Sequence, residues 1–259
     1  MSNKIEDQNM TFFIVRNLNR DGRPEVKRFS DVDLQEIFMS RLFDLTRIIG
    51  GLVVGNEEKN YREWFLKMIF EGFEPAFVAL CELKKAENNN DYPENKIEKH
   101  VKDMISYLVI AYKDRMQKVA ESFGYNIGFL YGKDVNFEQG ARKFINEHNN
   151  IDKNIINLMR DNRAKWQKTL IRIRNVLINH QMTASIKEIE ELKSYLNHLK
   201  YSECNNLFDN CWKAAEDILF ILMRDFIKIG AGTNLRETKD YQKNPQSKVR
   251  FGWYITVKN

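Results

Sequence analysis

Residues 152–180 read DKNIINLMRDNRAKWQKTLIRIRNVLINH, a stretch that contains neither glycine nor proline. Apolar residues recur in it at steps of four, three and four: Trp166, Leu170, Ile173 and Leu177. That spacing places their side chains on one face of an α-helix. We therefore predict one long helix over residues 152–180, with His180 three residues further along the same apolar stripe.

The segments on either side of this stretch are also predicted to be helical from the spacing of their apolar residues. They cover about residues 30–49, 56–85, 96–123, 137–147, 185–199 and 204–229. Ser185 and Glu188 match a capping box, which opens the helix that follows them. Glu74-Pro75 is expected to kink or break the helix over 56–85, because proline lacks an N–H and clashes with the preceding turn.

The two ends of the chain are predicted to hold the β-structure. Residues 11–29 read as a hairpin around a turn at Asn19–Gly22, and residues 249–257 read as a further strand. We expect these three strands to form a small sheet that joins the termini, although loose tails remain an alternative. Residues 230–248 read as a polar loop. The fold class is thus mainly α, a single domain over 1–259 with a helical bundle over 30–230 and a β appendage.

Positive charge is concentrated in the stretch that leads to His180. The chain carries a net charge of +5, and residues 160–174 alone contain six basic side chains against Asp161. The basic residues are Arg160, Arg163, Lys165, Lys168, Arg172 and Arg174. Such a face attracts phosphate groups, although a solvated helix surface is the ordinary alternative. On an α-helix Arg174 is turned about 200° from Arg172, so the basic ridge and Arg174 can point in different directions.

Arg174, Asn175 and His180 form the candidate catalytic group. Cleavage of a phosphodiester by its neighbouring 2′-hydroxyl needs a base for that hydroxyl and an acid for the leaving 5′-oxygen. Histidine serves in either role near neutral pH. A permanently charged guanidinium suits the extra negative charge of the transition state. On an α-helix, Arg174 and His180 are about 120° apart, so they are not stacked neighbours.

The arrangement of these three residues resembles the R-x(4–6)-H signature of the HEPN superfamily, many of whose members are ribonucleases in toxin–antitoxin and antiviral defence systems. The resemblance implies a HEPN-like helical bundle in which His180 transfers protons, Arg174 binds the phosphate and Asn175 orients the group. It also implies a homodimer whose histidines face each other across a shared cleft flanked by the arginines. Members silenced by a nucleotidyltransferase partner carry a tyrosine two residues after the histidine, where this chain has Met182.

The leading hypothesis is a metal-independent endoribonuclease, a toxin or antiviral defence effector, with RNA and an antitoxin or defence-system protein as partners. The first alternative is a non-catalytic HEPN-like module that binds nucleotide, RNA or protein and dimerises. The second is a helical scaffold in which the motif is accidental, with His180 a core histidine near a helix end and Arg174 a solvated charge. The RNA-binding residues are predicted to be the other five cations of the segment: Arg160, Arg163, Lys165, Lys168 and Arg172.

The sequence contains no pattern typical of metal binding, cofactor binding or a membrane span. The three cysteines include no C-x-x-C pair, and the four histidines lack the spacing of metal ligands. There is no glycine-rich phosphate loop, no apolar leader at the first residues and no apolar run long enough for a bilayer. We therefore expect no metal and no cofactor, and a cytoplasmic protein with reduced thiols.

Overall fold

A computed structural model describes residues 14–18, 24–27, 60–89, 93–178, 185–226, 233–237, 239–243 and 251–255. This part of the chain is mainly helical, as the sequence predicts. The predicted helix over 30–49 and the candidate catalytic His180 lie outside the described residues.

The described α-helices are, in chain order, α1 Tyr61–Met68, α2 Glu74–Glu87, α3 Glu94–Val109, α4 Met116–Ser122, α5 Asp134–Glu147, α6 Asn154–Asn162, α7 Lys168–Ile173, α8 Ile186–His198, α9 Tyr201–Met223 and α10 Lys239–Lys243. Wider π-helical turns join several of them: Ile69–Phe73, Ile110–Arg115, Arg163–Gln167 and Arg174–Ile178. Short 3₁₀ turns occupy Gly128–Tyr131 and Arg224–Phe226.

The helix predicted over 152–180 is confirmed across its described part. It consists of α6, a π turn, α7 and a second π turn, which together run from Asn154 to Ile178. The predicted cap of the next helix is also confirmed, because the backbone N–H of Glu188 donates to the Ser185 hydroxyl at 3.2 Å. Both features depend on interactions within a few residues, which is why the sequence predicts them well.

Glu74-Pro75 does not break the helix, so that part of the expectation is wrong. Helical residues continue from Tyr61 to Glu87, and the π turn Ile69–Phe73 lies directly before Glu74. Proline removes one backbone N–H and crowds the carbonyl of the preceding turn. A wider turn at that point gives the ring room, so the chain keeps its helical course instead of breaking.

Two π turns meet where α1–α2 crosses the helix formed by α3 and α4. Gly72 lies in the first turn and Ala111 in the second. A Cβ atom added to Gly72 would lie 2.7 Å from the Cα and 2.9 Å from the backbone nitrogen of Ala111. Because these are backbone atoms, no side-chain rotation relieves the contact, and glycine is what lets the helices approach this closely.

Gly72→Ala is therefore expected to destabilise the protein. Overpacking in a core costs about 1–3 kcal/mol, whereas the same change in an open helix gains about 1 kcal/mol. Urea unfolding followed by circular dichroism measures the difference. Leu66→Ala, at a side chain that is 42% exposed on α1, is the control and is expected to change stability far less. An unchanged or raised unfolding midpoint for Gly72→Ala contradicts the close approach.

The long helix α9 packs against α2, α3, α4 and α6 and supplies much of the core. Its Phe208 and Trp212 are buried beside Phe73 and Phe77. The ring centroids of Phe73 and Trp212 lie 4.4 Å apart, and those of Phe77 and Phe208 lie 5.9 Å apart. These contacts hold α9 against α2 and fix the framework on which α6 and α7 lie.

The small sheet predicted to join the termini is not confirmed. β1, Ile14–Leu18, pairs antiparallel with β2, Pro24–Lys27, in one two-stranded sheet. β4, Phe251–Ile255, pairs instead with β3, Thr233–Glu237, in a second two-stranded sheet. The predicted polar loop over 230–248 is also wrong in its described part, since it contains β3 and α10. Sequence pattern shows that a strand exists but does not specify its partner.

Candidate nucleic-acid interface around Arg174

Arg174 and Asn175 open the last described turn of the long helix. Both side chains are partly buried, and Arg174 Nη1 donates to Asn175 Oδ1 at 3.5 Å, the long limit of such a bond. This turn contacts α3 and α8, so the neighbouring helices hold its position. The structure therefore brings two of the three motif residues into contact, while the place of His180 stays a prediction.

The helix that carries the motif is not a regular α-helix. Its π turns Arg163–Gln167 and Arg174–Ile178 are wider than the turns of an α-helix. Over Arg174–Ile178, each residue therefore turns through a smaller angle than the roughly 100° of an α-helix. Turns of this kind inside α-helices recur at functional sites, and here one of them begins at the candidate phosphate-binding arginine.

Arg160 forms a two-pronged ion pair with Glu138 of α5. Its Nε donates to Oε1 at 2.9 Å and its Nη2 to Oε2 at 2.7 Å. The hydrogen bond with Arg160 lowers the pKa of the Glu138 carboxyl and raises the pKa of the Arg160 guanidinium. The sequence predicts Arg160 as an RNA-binding residue, but its donors face a carboxylate in the structure.

Arg163 is a buried structural arginine, 8% exposed. Its Nη1 donates to the Leu130 carbonyl at 2.9 Å, its Nη2 to the Gly132 carbonyl at 2.6 Å and its Nε to Asp134 at 3.0 Å. The guanidinium also lies 5.2 Å from the centre of the Phe137 ring. Arg163 thus ties the 3₁₀ turn and the start of α5 to the long helix, a role that its sequence position does not show.

Lys168 shares Asp134 with Arg163. Its Nζ donates to Asp134 Oδ2 at 2.7 Å, and both side chains are at least half exposed. The hydrogen bond from Lys168 is the main cause that lowers the pKa of the Asp134 carboxyl, and the bond from Arg163 adds to it. Asp134 therefore stays ionised at neutral pH and places a negative charge beside the predicted RNA-binding face.

The remaining predicted RNA-binding cations also have acidic partners. Arg172 Nε donates to Glu188 Oε1 at 2.9 Å, which joins the long helix to the first turn of α8. Lys165 lies 3.8 Å from Asp161 on the exposed side of the same helix. Three of the carboxylates come from α5 and α8 and therefore lie outside the basic segment 160–174.

Arg174 differs from these five cations. Among the residues that the structure describes, no carboxylate lies within ion-pair distance of its guanidinium, and its one hydrogen bond goes to the amide of Asn175. The other five each contact a carboxylate. The candidate phosphate-binding arginine is thus the cation of the segment whose charge is not offset by a described neighbour.

A cavity of about 280 Å³ lies beside Asn175. It is lined by Tyr131, Gly132, Arg163, Lys168, Ile171, Arg172, Asn175 and Val176. Arg174 is not part of its wall. Asn175 therefore faces this cavity, whereas Arg174 lies on another side of the helix. This division fits the prediction that Arg172 and Arg174 point in different directions.

The apolar stripe of the long helix faces the interior of its own chain. Trp166, Leu170 and Ile173 are 6%, 1% and 1% exposed. Trp166 packs edge-on against Tyr112 of the neighbouring π turn, with ring centroids 5.0 Å apart. Because the protomer itself buries these three residues, they offer no surface to a second copy of the chain.

The sequence does not assign Tyr131, Asp134 or Glu188 to this site, although Tyr131 lines the cavity and the two carboxylates pair with Lys168 and Arg172. Glu188 is predicted only as part of a capping box, and Asp134 has only the common signal of an acidic residue at a helix start. Within the described ranges, no group of three histidine, cysteine, aspartate or glutamate side chains is arranged to hold a metal ion.

Comparison with models of known protein families, with curated proteins and with solved structures found no match to this chain. None of the helices in the described part of the chain has the length and apolar character needed to cross a bilayer.

Proposed function

We propose that this chain is a metal-independent endoribonuclease of the HEPN type, acting as a toxin or antiviral defence effector. The observation that carries the proposal is the state of Arg174. Its five basic neighbours are all paired with carboxylates, whereas the one described hydrogen bond of Arg174 goes to the amide of Asn175. A guanidinium without a carboxylate partner is ready to accept an incoming phosphate.

In this proposal each motif residue has one chemical task. His180 removes the proton of the 2′-hydroxyl or protonates the leaving 5′-oxygen. Arg174 binds the phosphate and stabilises the negative charge that grows in the transition state. Asn175, bonded to Arg174, orients the guanidinium. The products are a 2′,3′-cyclic phosphate and a 5′-hydroxyl.

The proposed enzyme is a homodimer with a composite site, as the HEPN resemblance implies. Trp166, Leu170 and Ile173 are already buried in the protomer, so the interface has to use other residues. Light scattering at tens of micromolar protein is expected to give the mass of two chains. A monomer that retains full activity contradicts the composite site.

The test of the catalytic proposal is a cleavage assay on single-stranded RNA in EDTA, with the ends of the fragments identified by mass spectrometry. We expect cleavage to persist and to leave 2′,3′-cyclic phosphate and 5′-hydroxyl ends, because the mechanism uses the 2′-hydroxyl and no metal. A 2′-O-methyl group at the cleaved position is the matched control and is expected to block the reaction. Loss of cleavage in EDTA, or 5′-phosphate ends, contradicts the proposal.

The second candidate is a non-catalytic HEPN-like module that binds RNA. The cation-lined cavity beside Asn175 favours it, since that cavity needs no histidine to hold a phosphate. In this case the protein binds RNA with an affinity that falls as the salt concentration rises, and the same assay yields no RNA fragments.

A further inference from the structure

We propose that the cavity beside Asn175 binds one phosphate group of the RNA strand next to the cleaved phosphate, and that Glu188 and Asp134 compete with that phosphate for its cations. The proposal rests on the proposed function for the identity of the ligand as RNA. It adds a second phosphate subsite, and it assigns to two acidic residues the effect of weakening phosphate binding. The motif implies neither.

The cavity is large enough for a phosphate. Its volume of about 280 Å³ is just below the range of ligand pockets, which run from about 300 to 1,000 Å³. A phosphate of a nucleic-acid backbone is smaller than this space, so the cavity admits it together with atoms of the adjoining sugar. The opening lies on the face of α7 that carries Lys168 and Arg172, so a strand can pass over it.

The charge of the cavity selects an anion. Its charged lining residues in the described structure are Arg163, Lys168 and Arg172, all cations. A neighbouring cavity of about 190 Å³ includes Asp134 and Glu138 in its wall, and one of about 250 Å³ includes Glu203. Of these three cavities, the one beside Asn175 is therefore the one whose lining concentrates positive charge.

Helix geometry places the polar groups of this cavity together. Lys168, Arg172 and Asn175 are four and three residues apart on the long helix, and all three line this cavity. The Asn175 amide supplies both a donor and an acceptor. Because Arg174 lies outside the cavity and contacts Asn175 at 3.5 Å, Asn175 stands between the two phosphate positions.

The two cations that reach the opening are held by exchangeable carboxylates. Lys168 and Arg172 are about half exposed, and their partners Asp134 and Glu188 are 67% and 31% exposed. Exposed ion pairs contribute little net free energy because water and salt screen them. A phosphate with two accepting oxygens replaces a carboxylate at little cost.

Arg163 behaves differently from these two cations. Its Nη1 and Nη2 bonds go to the backbone carbonyls of Leu130 and Gly132, so it stays in place when Asp134 turns away. It supplies a fixed positive charge in the wall of the cavity. The site therefore consists of three cations. Arg163 is held in place, whereas Lys168 and Arg172 can leave their carboxylate partners and bind the phosphate of the ligand.

The experiment measures the affinity of a fluorescent 2′-O-methyl RNA, which binds but is not cleaved, by anisotropy. Glu188→Gln is expected to tighten binding by about three-fold, because it frees Arg172. Arg172→Gln is expected to weaken binding by about ten-fold and to reduce the slope of log K against log salt by about 0.7. Glu147→Gln and Lys143→Gln are the controls, since this exposed pair lies elsewhere on α5 and carries the same charge changes.

Glu188→Gln binding no tighter than Glu147→Gln overturns the proposal, because only the general charge then matters. Asp134→Asn, a second variant, is expected to tighten binding in the same direction through Lys168. Calorimetry with inorganic phosphate tests whether the cavity is a site for the free anion and not for the phosphate of an RNA strand. Binding of phosphate that depends on Arg172, combined with RNA affinity that does not, overturns the assignment to RNA. An absence of RNA cleavage with these affinity changes intact contradicts the proposed function alone.

Discussion

Replacing His180 with alanine is expected to reduce RNA cleavage by about 10²–10⁴-fold, the usual contribution of a general acid or base. Replacing Arg174 with alanine is expected to cost about 10²–10³-fold, because one preorganised donor to the transition state is lost. Both variants are expected to unfold at the same urea concentration as the unchanged protein. Initial rates of cleavage of a short labelled RNA, at saturating substrate, measure the effect.

Two control substitutions distinguish the loss of a catalytic group from a general change in charge. His198→Ala removes an exposed histidine whose ring contacts the Ser194 carbonyl, and Arg142→Ala removes an exposed arginine of α5. Both are expected to leave the rate unchanged. Full activity of folded His180→Ala and Arg174→Ala proteins contradicts the assignment. A large loss of stability in His180→Ala supports the alternative in which this histidine belongs to the core.

Arg163→Ala is expected to lower the free energy of unfolding by about 3 kcal/mol. The guanidinium donates to two backbone carbonyls, those of Leu130 and Gly132, from a nearly buried position. Hydrogen bonds that involve a charged group contribute about 1.5–3 kcal/mol each. Leu130 keeps a second donor, Gln167 Nε2 at 2.6 Å, so part of the loss is compensated. Chemical unfolding followed by circular dichroism gives the value.

Two further variants test the physical reason. Arg163→Lys keeps the charge but lacks the planar fork that reaches both carbonyls, so it is expected to lose stability as well. Lys165→Ala, at a side chain that is 72% exposed on the same helix, is expected to stay within about 0.5 kcal/mol. If Arg163→Ala is as stable as Lys165→Ala, then Arg163 does not hold the 3₁₀ turn to the long helix.

These two predictions assign different roles, in folding and in cleavage, to two arginines of the basic segment 160–174. Arg163 and Arg174 lie in the same helix, yet one is tied to backbone carbonyls and the other contacts an amide with no described carboxylate near it. Loss of the first is expected to affect folding, and loss of the second to affect cleavage. Counting positive charge along the chain does not distinguish them.

The sequence by itself determined the mainly helical class, the continuity of the long helix from Asn154 to Ile178 and the cap at Ser185. Each depends on residues only three or four positions apart, because helix periodicity and capping are local interactions. The buried face of the helix that includes Val101, Ile105 and Tyr112 follows from the same periodicity. The candidate group Arg174, Asn175 and His180 is likewise a sequence prediction.

Only the tertiary structure decided which groups meet. The pairing of Lys168 with Asp134 and of Arg172 with Glu188 joins residues that are 34 and 16 positions apart. The pairing of β4 with β3 and the π turns at Ile69–Phe73 and Arg174–Ile178 also depend on the packing of neighbouring segments. Contacts between distant segments are selected by the free energy of the whole fold, so no local pattern specifies them.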